Sequence, residues 1–234
     1  MDRRQAFHTD FISDVPEADT WMGAWRTRAY AHSRLRIASL GSGMTLFEYI
    51  SIATSLILSF SLARTLTNFA PIFASEHRYW VHSTWVLGLL VSHAILFWDI
   101  WLYQGVEVWT LVEFVLLLMG PIMLFIAASL VVPVGAVPDY RIYFESIRGP
   151  FYSVLIVISV QPIPLTYLLF DIPLISPLLL SNLIFAAAAV VGLVGRKRSI
   201  DMVLVCFMIL GVIGALFLKN DPEVTRALLE SLRG

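Results

Sequence analysis

The stretch Trp80–Tyr103, WVHSTWVLGLLVSHAILFWDIWLY, constrains the fold more than any other part of the chain. It is 24 residues long, apolar and closed by aromatic residues at both ends. At ~1.5 Å rise per residue, about 20 residues cross a hydrocarbon core of ~30 Å, so the stretch reads as a spanning helix. It also carries His82, His93 and Asp99, which a segment chosen only for lipid solubility would omit.

Five further apolar segments of spanning length accompany it, giving six at about 46–69, 80–103, 109–132, 151–170, 173–194 and 200–218. Lipid offers no partners to open backbone groups, so every span is expected to be helical. A β-barrel would need shorter segments that alternate in polarity. The expected fold is therefore an all-α membrane protein, a bundle of six transmembrane helices. Composition agrees: 58% of the 234 residues are hydrophobic and 14% charged, against ~45–50% and ~25% for soluble domains. A net charge of −1 gives no basis for a nucleic-acid partner. The lone Cys206 lies in an apolar run and reads as a small packing residue.

Residues 1–43 are polar, with six arginines and five acids. The arginines scatter round a helical wheel, so this part reads as a disordered or surface-associated tail. Residues 1–40 hold no apolar core of a cleavable signal peptide, and insertion is expected to rely on the first span. Two stretches are amphipathic. Tyr140, Tyr143, Phe144 and Ile147 fall at helical spacing opposite Arg141, Glu145 and Arg148, which predicts an interfacial helix between the third and fourth spans or an extension of the fourth. Asp221 and Pro222 open a short amphipathic tail over 219–234.

Arg78, Arg141, Arg148, Arg196, Lys197 and Arg198 fall in the connections after spans one, three and five. The connections after spans two and four lack Lys and Arg. The positive-inside rule then predicts an inner (cytoplasmic) membrane protein with these basic loops in the cytoplasm and the N-terminus outside. The arginines of 1–43 and Lys219 oppose that assignment.

FEYISI (47–52), SLART (61–65), YWVH and HSTW (79–85) and WDIW (98–101) resemble small multi-spanning bacterial membrane proteins of unassigned function. The resemblance covers about residues 44–150. It implies a fold and no activity.

Three groups of polar residues are candidates for function. Glu48, Asp99 and Glu113 lie about four residues inside their spans, which places three carboxylates at one level near one face. They read either as an acidic mouth for a proton or cation, or as acids reaching to headgroups beside an aromatic belt. His93, Gln161 and Asn182 lie near the midplane, with Pro121, Pro162 and Pro164 as expected helix breaks. Broken helices at that depth expose backbone groups to a solute, and the same residues serve equally as interhelical hydrogen-bonding and packing groups. At the opposite interface lie Arg64, His82 and Asp201, where Arg64 either reaches the headgroups or pairs with Asp201.

No metalloprotease, nucleophile-elbow or phosphate-loop motif occurs, no catalytic residue is assigned, and His77 and His82 are badly spaced for a shared metal. No cofactor is expected. The sequence reading is a channel or secondary transporter for a proton, small cation or small polar solute, or else a non-conducting binding, signalling or structural subunit. Partners are the lipid bilayer, such a solute and, through small-residue stripes such as Ser51, Ser55, Ser59 and Ala63, further copies of the chain.

Overall fold

The computed structural model describes residues 44–106, 108–135, 137–170, 176–195 and 197–220. The expected tail over 1–43 and the amphipathic segment over 221–234 lie outside these. Within them the chain is α-helical without strands. The elements are α1 (Leu46–Thr67), α2 (Phe69–Ala74), α3 (Trp80–Asp99), a 3₁₀ turn (Ile100–Tyr103), α4 (Leu111–Val131), α5 (Tyr140–Val160), α6 (Pro162–Phe170), α7 (Pro177–Val194) and α8 (Arg198–Asn220).

Five helical stretches are long and apolar enough to cross a bilayer: Leu46–Ala74, Trp80–Tyr103, Leu111–Val131, Tyr140–Phe170 and Arg198–Phe217. Between the last two lies the shorter α7, which begins at Pro177, where the sequence placed a span from 173; residues 171–175 lie outside the described ones. Of the two readings of the amphipathic stretch, the extension of the fourth span is the one observed. No separate interfacial helix precedes it, because α5 runs unbroken from Tyr140 to Val160 through Gly149 and Pro150. Asp139 starts it by accepting hydrogen bonds from the backbone N–H groups of Arg141 and Ile142, which satisfies two of the donors a helix start leaves open. The helix is interrupted at Gln161, where Pro162 and Pro164 lack the N–H groups that would continue the ladder. Pro121, by contrast, breaks nothing: α4 continues through it to Val131.

Packing is most extensive between α5 and α7, between α1 and α4, and between α4 and α5, with α3 lying against α8. The largest buried cluster gathers Trp85, Phe144, Phe151 and Tyr152 with Val131, Val132 and Leu204. The Trp85 ring meets Phe151 edge-on at 5.1 Å, a favoured quadrupolar arrangement. Close approach of α7 to α5 depends on Gly192, where a Cβ would stand 2.6 Å from the Tyr152 ring. Large apolar side chains on the outer faces, among them Ile52, Leu56, Phe60, Leu210 and Phe217, are exposed. That is the pattern of a bundle whose outer surface is fit for lipid.

Candidate functional site

At the basic end of the bundle, α4 stops at Val131 and leaves a row of backbone carbonyls without helical partners. Side chains from three other helices take them. Arg64 of α1 donates to Ser129 O and Val132 O at 3.4 Å each. Tyr143 of α5 donates its hydroxyl to Leu130 O at 2.7 Å, and His82 of α3 donates Nε2–H to Val131 O at 2.7 Å. A guanidinium at a helix C-terminus also offsets the negative end of the helix dipole. Arg64 thus turns inward to cap α4.

Asp201 pairs instead with Arg148. The guanidinium Nε donates to Asp201 Oδ1 at 2.8 Å, and both residues are buried. A second Arg148 nitrogen donates to Gly195 O, and the Tyr152 hydroxyl donates to the same Asp201 oxygen at 3.0 Å. Helical spacing puts Arg148 on the polar face of an amphipathic helix. At Arg148 alone that face is covered, by Gly195 at the end of α7 and Asp201 of α8, while Arg141 and Glu145 stay exposed. Beside this cluster, burial raises the Tyr79 phenol above its ordinary range, the Asp201 charge adds to the rise, and the Arg198 guanidinium opposes it.

The midplane set separates. His93 Nδ1–H donates to Leu89 O at 2.6 Å, so the neutral ring accepts at Nε2 from the Ser61 hydroxyl, also 2.6 Å away. Nδ1 is spent on a carbonyl of α3 itself, and Nε2 ties α3 to α1. His93 forms part of the wall of a groove of about 240 Å³ with Ser55 and Ser59. Gln161 donates its amide to Leu116 O on α4 at 2.5 Å, and Gly120 leaves space for it. Asn182 lies elsewhere again, in the cavity described next.

That cavity, about 400 Å³, lies between α3, α5, α7 and α8. On α3 it is bordered by Trp85, Gly88, Leu89, Ser92, Ile95 and Asp99, all on one face of the helix over about 20 Å of its length. Tyr152, Ala189 and Leu204 close the end nearer the Arg148–Asp201 pair. Ser92, Ser159, Ser181 and Asn182 add polar groups along an otherwise apolar wall that includes Phe185, Phe207 and Met208. The hydroxyls of Ser92 and Ser159 donate to carbonyls of their own helices, Gly88 O and Leu155 O, which leaves oxygen lone pairs as acceptors.

Asp99 borders this cavity, while neither Glu48 nor Glu113 does. Glu113 closes a capping box at the start of α4: its carboxylate accepts from Thr110 N at 2.7 Å, and Thr110 Oγ1 accepts from Glu113 N at 3.3 Å. Glu48 stands in the first turn of α1 and is exposed. Depth along a helix was readable from sequence; direction around it, between different helices, was not.

No family model, curated protein or solved structure matches this chain. Its function has to be argued from its own residues.

Proposed function

We propose that the protein is an integral membrane protein that takes up a small amphiphilic solute in the cavity between α3, α5, α7 and α8, and that it works as a secondary transporter. The observation that carries this reading is the cavity itself: about 400 Å³, mostly apolar, with a few polar groups converging on it. Binding sites for small molecules have this make-up and a volume of ~300–1,000 Å³. Two features support movement of the solute. The interruption at Gln161 lies in α5–α6, one of the helices beside the cavity, and transporters commonly place broken helices there. The end nearer the basic loops is closed by Tyr152, held in turn by Asp201 and Arg148. In this reading the basic loops face the cytoplasm.

A proton channel along His93, Gln161 and Asn182 is less well supported, because each takes part in a different local structure. The non-conducting alternative draws its support from the same bonds, which tie helices together. The test uses N-phenyl-1-naphthylamine, a neutral apolar fluorophore, with protein in nanodiscs and empty nanodiscs as the reference. Saturable binding lost in Ala189→Phe, which fills one end of the cavity, is the expected result. Absence of saturable binding would overturn the reading. Solute uptake by proteoliposomes above that of protein-free vesicles separates transport from binding alone.

A further inference from the structure

We infer that the solute is a single-chain amphiphile: a straight alkyl chain of about 12 carbons lies along the cavity, with its polar head at the Asn182 end. This rests on the cavity being a solute site. The cavity follows α3 for about 20 Å from Trp85 to Asp99 and holds about 400 Å³, a mean cross-section of ~20 Å². An extended alkyl chain occupies ~20 Å² when its neighbours stand at carbon contact distance. The bore therefore takes one chain, and a diacyl lipid would leave its second chain outside. A head occupying one helical turn of the length leaves ~15 Å for the chain. Single bonds of ~1.5 Å meeting at tetrahedral angles advance ~1.25 Å per carbon, which gives the count of about 12.

Polarity along the cavity divides it in the same way. At the end nearer the Arg148–Asp201 pair the wall is Trp85, Leu89, Tyr152, Ala189 and Leu204. Tyr152 presents its ring there, because its hydroxyl is donated to Asp201. Phe207 and Met208 continue the apolar lining, and Met208 lies in the space left by Gly88. Ser92 and Ser159 follow, but their hydroxyls donate to carbonyls of their own helices, so a chain can pass them. Tyr152 of α5 meets Gly192 near the end of α7, so the start of α7, with Ser181 and Asn182, lies toward the opposite end, where α3 finishes at Asp99. Escape from water does not hold the chain in place, since the surrounding lipid is equally apolar. An unfilled cavity instead leaves its lining without dispersion partners, and each methylene that fits restores them. A short chain leaves a void and a long one has to bend or protrude, so binding should depend on length.

Radiolabelled 1-monoacylglycerols, uncharged and with straight chains of 8 to 18 carbons, are the probes. Each is equilibrated between wild-type protein in dioleoylphosphatidylcholine nanodiscs and empty discs of the same lipid, which removes partition into the bilayer. Saturable retention in excess of empty discs is expected to peak near 12 carbons. The 3,7,11-trimethyldodecanoyl ester has a main chain of that length with methyl branches too wide for the bore, and should be retained at least tenfold less. Ala189→Phe fills the apolar end and should move the peak about four carbons shorter. Retention that is independent of length, equal retention of the branched ester, or an unmoved peak in folded Ala189→Phe would each overturn the inference while leaving a solute cavity standing. If no monoacylglycerol is retained but the neutral fluorophore binds saturably, the chain assignment falls alone. If neither binds, the cavity reading falls with it. Where Ala189→Phe fails to fold, the wild-type length profile and the branched ester decide the matter.

Discussion

Arg148 and Asp201 illustrate what a single side chain can mean in this bundle. Each is buried, and each satisfies the other, with Tyr152 and Gly195 completing the set. Removing one member leaves a buried charge without its counterion, which costs about 3–5 kcal/mol, whereas removing both for apolar residues of similar size is often nearly neutral. Arg148→Ala and Asp201→Ala are each expected to lower the thermal midpoint in detergent sharply, and Arg148→Met with Asp201→Leu to lose much less than the two singles combined. Additive losses would show that the pair is not coupled. His82 makes a second case. His82→Phe removes the donor to Val131 O and leaves a buried carbonyl unsatisfied, a loss of about 1–3 kcal/mol. Chemical denaturation read by tryptophan fluorescence checks this, and wild-type stability in the variant would mean the carbonyl finds another donor. The sequence marked Arg64, His82 and Asp201 as polar groups at one depth, but their partners are backbone carbonyls on a distant helix or an arginine on another face. No spacing rule encodes such a pairing.

Helix starts rest on local chemistry, helix faces on packing. The capping box Thr110–Glu113 and the Asp139 cap are local, made within three residues, and follow from residue type and spacing. Glu113 was nevertheless read as a member of an acidic mouth, since a capping acid and a functional acid look alike until the N–H it accepts from is located. The amphipathic stretch over 140–149 fits either a helix in the headgroup plane or an extension of the fourth span. Arg148 on its polar face is held by Asp201 of α8 and by Gly195 at the end of α7, and the stretch runs on into the fourth apolar stretch as one helix. Packing also explains the glycines between helices. Gly192→Leu would drive a side chain into Tyr152 and is expected to cost about 1–3 kcal/mol. Thr110→Ala, which removes one cap, should cost about 0.5–2 kcal/mol. Thermal unfolding of the two variants side by side measures both, and a tolerated Gly192→Leu would mean that α5 and α7 can separate without loss.

The whole molecule makes one prediction of orientation. With Cys206 replaced by serine, a cysteine at Lys197 should react with a membrane-impermeant maleimide only after cells are opened, and one at Gln104 in intact cells. The reverse pattern would invert the bundle without altering its interior. At this scale the division between sequence and tertiary structure has a simple physical origin. Hydrophobic length and backbone satisfaction are properties of a segment by itself, so apolar helices of membrane-spanning length and their alternating basic connections could be read from the chain alone. Which polar groups meet is a property of azimuth and of interhelical distance. Both are decided by how rings, glycines and helix ends fit together, and so only the folded bundle could bring Asp99 and Asn182 to one cavity while tying His93 of α3 to Ser61 of α1.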